Sequence, residues 1–196
     1  PTLKDIIVPG TSLLSGSAMG IIQPKSRLIK GNIKDGDQII IFASSGIHAN
    51  GLTLARNIAS KLKHRQLTKM PNARTYDETL LDLTHIYVGL IEDCLDAGVS
   101  IHYAVNITGH GWRKLIRHTK PFTYVIEELP SQLPIFDFIQ KHGPVDDWEA
   151  FGNLNMGAGF AIYVPKSQVA KVLKLAAKFP FTAYEAGYIQ KLMIKK

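Results

Sequence analysis

Residues 38–51 read Gln38-Ile39-Ile40-Ile41-Phe42-Ala43-Ser44-Ser45-Gly46-Ile47-His48-Ala49-Asn50-Gly51. The first six form an unbroken apolar run just after the turn residues Lys34-Asp35-Gly36-Asp37. Such a run, short and β-branched, predicts a strand buried on both faces. Beyond Gly51, apolar residues recur at Leu52, Leu54, Ala55, Ile58, Ala59 and Leu62, the period of a helix packed along one side. Asn50 is placed to cap that helix, and Gly46 to make the turn before it. The intervening loop has two readings. Backbone N–H groups at a helix start, supplemented by Ser44, Ser45 and His48, suit an anion. The same residues also suffice for a capped strand-turn-helix connection. Spacing alone leaves both open.

Outward from this stretch, strands and helices alternate loosely. Strands are expected at 18–23, 99–107, 122–126, 157–164 and 182–189. Helices are expected at 112–118, 133–142, 146–151 and 167–179. A single long helix is expected over 77–97, with Leu81, Ile86, Leu90, Cys94 and Leu95 near one face and Gly98 ending it. Residues 63–76 read as an exposed loop, and 1–17, rich in Gly, Ser and Pro with a turn at Pro9-Gly10, as irregular chain. The regular βαβ beat of a doubly wound sheet is missing. The expected fold class is α+β, a mixed β-sheet packed by helices on one or both faces.

Two further loops follow strands and carry glycines. Thr108-Gly109-His110-Gly111 precedes the basic residues Arg113, Lys114, Arg117, His118 and Lys120. It reads either as a phosphate-holding loop or as the start of a solvated basic helix. Asn155-Met156-Gly157-Ala158-Gly159 leads into a strand, where paired glycines allow close approach of a neighbour or a ligand. Neither loop is a Walker or dinucleotide fingerprint. The acidic group Asp146, Asp147 and Glu149 sits where carboxylates stabilise a helix start. Tyr163, Tyr184 and Tyr188 fit strand packing.

Composition bounds the partners. The 196 residues are 45% apolar and 20% charged, as in a folded domain. With 23 basic against 16 acidic residues, the formal charge of +7 favours an anionic partner. One cysteine, Cys94, excludes an internal disulfide and a multi-thiolate zinc site. That usage suits a reducing compartment, so a cytoplasmic location is expected, with no metal site and no membrane association. A nucleic-acid recognition motif is also lacking.

Taken in order, these loops resemble the C-terminal domain of phosphoribosylformylglycinamidine cyclo-ligase (AIR synthase) and of AIR synthase-related proteins. The family's S-S-G-P-H-S-N-G is similar to Ser44–Gly51, and its P-T-R-I-Y-V to Leu83-Thr84-His85-Ile86-Tyr87-Val88. Its I-T-G-G-G is similar to Ile107–Gly111, and its F-N-M-G-x-G to Leu154–Gly159. The resemblance implies the second half of a two-domain, ATP-dependent enzyme of purine biosynthesis, a ligase of the cyclo-ligase type. Residues 1–17 would then be a tail from an N-terminal ATP-binding domain, and 18–196 the domain itself. ATP and Mg²⁺ would bind mainly to that other domain, through which the full-length protein dimerises. This half alone would be inactive.

In the implied reaction ATP phosphorylates the formyl amide oxygen of formylglycinamidine ribonucleotide. The amidine-side nitrogen then closes the ring of aminoimidazole ribonucleotide, and phosphate leaves. Carried over, Ser44, Ser45, Gly46, His48, Asn50 and Gly51 would line the substrate cleft. Thr108, Gly109 and Gly111 would form a second wall, with Asn155 and Gly157 a supporting turn. The chain departs from the family at His85 for Arg, at His110 for Gly, and over 112–118, where the family's L-T-E-N-L-P-R is lost. Those departures imply either an altered substrate or a non-catalytic module that binds an anionic ligand through its basic surface.

Overall fold

A computed structural model describes residues 15–192; the Pro9-Gly10 turn lies outside them, as does most of the 1–17 tail. The core is a five-stranded sheet of β1 (Gln38–Ala43), β2 (Tyr103–Asn106), β3 (Phe122–Ile126), β4 (Ala158–Val164) and β5 (Ala183–Lys191). The strand order is β2-β4-β1-β5-β3. Six helices surround it: α1 (Leu52–Lys61), α2 (Tyr76–Leu80), α3 (Val88–Asp96), α4 (Pro134–His142), α5 (Asp147–Asn153) and α6 (Val169–Ala176).

β1 is central because it is the most apolar strand, and Ile39 through Phe42 are wholly buried. Alternation splits its side chains between two layers. Ile40 and Phe42 pack with Leu90 and Cys94 of α3 and Val172 of α6. Ile39 and Ile41 pack with Ile107, Leu115 and Tyr163 on the other face. A third cluster lies away from these two layers, where Ile47, Ala55, Tyr76, Phe136, Ile139 and Leu154 join α1, α2, α4 and α5. The loop after β1 therefore lies between the sheet and this helical layer.

The α+β layering is as expected, but the sheet is antiparallel throughout rather than mixed. The order interleaves β1, β2 and β3, running one way, with β4 and β5 running the other. Residues 18–23 form no strand; they pair with no strand among the described residues, and Met19 and Ile21 stand in solvent. The expected helix over 77–97 is two helices, with 81–87 a non-helical link between them. Three tertiary attachments override its helical period. Asp82 forms a bidentate pair with Arg74 at 2.7 and 2.9 Å. The Leu83 carbonyl accepts the Ser45 hydroxyl at 2.6 Å, and the Tyr87 hydroxyl donates to the Ala43 carbonyl at 2.8 Å. The basic helix expected over 112–118 shrinks to a 3-10 turn at Gly111–Lys114, which Leu115 anchors by its burial. At α5, Asp146 caps the helix by accepting the Glu149 N–H at 2.8 Å.

Candidate functional site

The loop after β1 is held from behind by one residue. Asn155, 1% exposed, accepts the Ser44 hydroxyl and the Gly157 N–H on Oδ1, each at 3.0 Å. Its Nδ2 donates to the Gly46 carbonyl at 2.9 Å. Its own backbone carbonyl accepts the indole N–H of Trp112 at 2.8 Å. One buried amide thus ties loop 44–51 to loop 155–159 and, through Trp112, to the segment after Thr108. The family resemblance implies a supporting turn at Asn155 and assigns no role to Trp112, although a half-buried indole N–H must find an acceptor somewhere.

The loops also meet directly. Asn50 does not cap α1; the N-cap is Gly51 in the left-handed region at φ 72°, with no side-chain bond. The Asn50 Oδ1 instead lies over Gly109, 3.3 Å from where a β-carbon there would sit. Gly46 is not the residue that makes the turn either. The left-handed positions are His48 (φ 55°) and Gly51. A side chain at Gly51 would run into Leu154 and Ile47, so this glycine is fixed by packing as well as by conformation.

His48 is buried, and its Nε2 lies 3.3 Å from the Ser45 backbone N–H and 3.2 Å from the Ser45 hydroxyl. A backbone amide only donates, so Nε2 is the acceptor and the ring proton sits on Nδ1. Burial, reinforced by His85 nearby, pushes the imidazole down to about 4. His48 is therefore a neutral ring at physiological pH. The Ser45 hydroxyl is only 2.6 Å from the Leu83 carbonyl, its natural acceptor. The pair is thus arranged to fix the loop rather than to activate a serine nucleophile.

Polar atoms remain on both loops. Among the described residues, no acceptor takes the backbone N–H of Gly46, Ile47, His48 or Ala49, nor that of Thr108, Gly109 or His110. Gly111 must be glycine: it is at φ 50°, and a β-carbon would collide with the Phe151 and Leu154 carbonyls. Gly157, at φ 92°, passes beside the Ser131 carbonyl. Gly159 lies under the Tyr87 hydroxyl, so the paired glycines of this loop serve packing. The basic cluster is partly structural. The Arg113 guanidinium lies against Gly152 and 5.8 Å from the Trp148 ring centre, and His118 Nε2 donates to the Gly31 carbonyl at 2.7 Å.

An ATP–Mg²⁺ centre does not fit these residues. No group of three or more His, Cys, Asp or Glu is placed to hold a metal among the described residues. Asp82, the carboxylate beside Gly46, is committed to Arg74.

The profile of the AIR synthase related protein C-terminal domain matches residues 34–192. The chain belongs to this family. Phosphoribosylformylglycinamidine cyclo-ligase of Methanocaldococcus jannaschii is 38% identical over 191 residues, which is 96% of this chain and 54% of that protein. The Methanococcus maripaludis (strain C6) cyclo-ligase is 37% identical over 179 residues, 90% of this chain and 51% of that protein. The AIR synthase-related chain thus spans about half the length of the curated relatives it matches. Among solved structures, Thermotoga maritima PurL complexed with FGAR superposes with a TM-score of 0.50 at 12% identity, covering 85% of this chain and 26% of that one. That likeness is one of fold. No helix among the described residues is long and apolar enough to cross a membrane.

Proposed function

We propose that this AIR synthase-related domain is the substrate-binding half of an ATP-dependent cyclo-ligase of purine biosynthesis. Its ligand would be formylglycinamidine ribonucleotide or a close phosphorylated relative. The observation that carries this reading is the meeting of loops 44–51 and 108–111, with the N–H groups of 46–49 and 108–110 left without acceptors among the described residues. Backbone donors on tight, pre-set loops suit a phosphate or a polarised amide oxygen, and they need no reorganisation when the ligand arrives. The relatives of this chain act in the corresponding reaction by name.

In this role the chain's residues bind and orient. Thr108 adds a hydroxyl and Asn50 an amide beside the free donors. Ser44, Ser45, His48, Asn155 and Gly157 hold the loops in register from behind. Nucleotide and metal would be supplied by an ATP-binding domain, and the active protein would be a cytoplasmic homodimer. Positioning of this kind is the main protein contribution to phosphoryl transfer.

The test is a titration of the isotope-labelled chain with formylglycinamidine ribonucleotide, followed through backbone amide resonances. Residues 46–49 and 108–110 should shift, and Asn50→Ala with Thr108→Val should weaken binding at least tenfold. A ligand that moves neither loop would overturn the reading. One observation favours a non-catalytic anion-binding module instead. Arg117 and Lys120 are exposed and in no ion pair among the described residues. Shifts confined to 114–120 and abolished by Arg117→Glu would establish that alternative.

A further inference from the structure

One face of the domain is apolar without a covering. Leu83 and Ile86, on the link between α2 and α3, and Val88, the first residue of α3, are 88, 78 and 60% exposed. Ile86 and Val88 border a cleft of about 430 Å³ floored by Ile91 and Phe160. A second cleft of about 440 Å³ continues along α3, bounded by Ile21, Ile22 and Leu28. Ile91 and Glu92 line both, so the two form one trough. Contiguous exposed apolar surface of this kind marks an interaction site. The exposed Glu92 carboxylate lies in the middle of it and joins no ion pair among the described residues.

We propose that this trough seats the ATP-binding domain invoked above, through an apolar segment that brings a lysine or arginine to Glu92. The proposal rests on that functional reading and adds where the partner sits. Three observations converge on this occupant. The relatives are about twice as long as this chain, so their other half needs a surface on this domain. The link that offers Leu83 and Ile86 outward also grips the site loop, through the Leu83 carbonyl to Ser45 at 2.6 Å and the Tyr87 hydroxyl to Ala43 at 2.8 Å. A domain seated here would therefore adjoin loop 44–51, where its nucleotide must reach the substrate. Finally, a second copy fits poorly, because a two-fold contact centred on the shared residues sets Glu92 against itself.

Hydrogen exchange tests this. The 196-residue chain is compared with the same chain joined to the part of the M. jannaschii cyclo-ligase that it does not cover. In the joined protein, amides of 81–95 should exchange at least tenfold more slowly than in the chain alone. Ile86→Asp and Glu92→Lys should each restore the fast rate without lowering the melting temperature of the 196-residue chain. Ile86→Ser carries the same expectation should the aspartate disturb folding. Equal exchange over 81–95 in the two proteins overturns the proposal. So does protection in the chain alone that rises with concentration alongside a dimer mass. Turnover by the joined protein without protection leaves the enzymatic reading standing and removes this face from it. Protection without turnover keeps the docking face and counts against the reaction.

Discussion

Asn155 accepts the Ser44 hydroxyl at 3.0 Å across 111 residues of sequence, and both side chains are buried. This bond, with the Gly46 and Gly157 bonds of the same amide, makes the turn before β4 a template for the loop after β1. Site geometry is thereby set by the sheet, since β1 and β4 are hydrogen-bonded neighbours.

Removing that amide strands three buried partners. Asn155→Ala should cost about 2–4 kcal/mol of stability, because unsatisfied buried groups each cost ~1–3 kcal/mol and some relax toward water. Asn155→Asp keeps the acceptor but points a second oxygen at the Gly46 carbonyl. Its deficit should be larger near pH 7 than near pH 4, where a protonated carboxyl regains a donor. Urea unfolding at the two pH values measures both. Equal stability of Asn155→Ala and the parent would refute the template.

Gly159 faces the Tyr87 ring, whose Cζ lies 2.8 Å from where a β-carbon would be, with His48 Cε1 at 3.1 Å. Gly159→Ala should therefore cost at least about 2 kcal/mol by overpacking. Tyr87→Phe removes the hydroxyl that intrudes most and loses its bond to Ala43. The double variant should be more stable than the sum of the single losses implies, by ~1 kcal/mol. Strict additivity in a thermal or urea cycle would contradict the contact.

What could be read in the sequence was whatever depended on local pattern. The Ile39–Phe42 run, the amphipathic period of α1, the acidic helix start at 146–149 and the helix expected over 133–142 emerge where they were expected. What could not be read depended on distant partners. The apolar period of 77–97 is helical in spacing, yet Arg74, Ser45 and Ala43 hold 81–87 out of a helix. Asn50 is a plausible cap by position, but its amide is drawn over Gly109, from a loop nearly sixty residues later. The apolar run at 18–23 has the composition of a strand and, among the described residues, no strand beside it. At the site, the loops were visible through their small residues, whereas the order among them, set by Asn155 and Trp112, exists only in the folded chain.

His48 makes stability depend on pH in a definite direction. Its folded imidazole titrates at about 4, below the ordinary 6.5, chiefly through burial. Between those values the unfolded chain binds the proton and the folded chain does not. Stability therefore falls as pH drops from about 6.5 to about 4 and levels off below, a loss of order 1–3 kcal/mol. His48→Asn, which tolerates the left-handed backbone, should flatten this part of the curve. Guanidinium unfolding at half-unit pH steps shows it; a parent and variant with parallel curves would rule His48 out as the source.

His110 and Gly111 are adjacent left-handed residues with opposite demands. His110 is exposed at φ 73°, where a side chain costs roughly 1 kcal/mol and gains nothing from packing. His110→Gly should raise stability by about 0.5 kcal/mol, since the freer unfolded chain offsets part of the relief. Gly111 is buried at φ 50° with two carbonyls in the place of its missing β-carbon. Gly111→Ala should cost more than about 3 kcal/mol and displace Trp112 from Asn155, visible as a red shift of tryptophan fluorescence in the native baseline. The same substitution logic thus stabilises one residue and disrupts the next. A stabilising Gly111→Ala would mean that loop 108–111 does not pack on α5 as described.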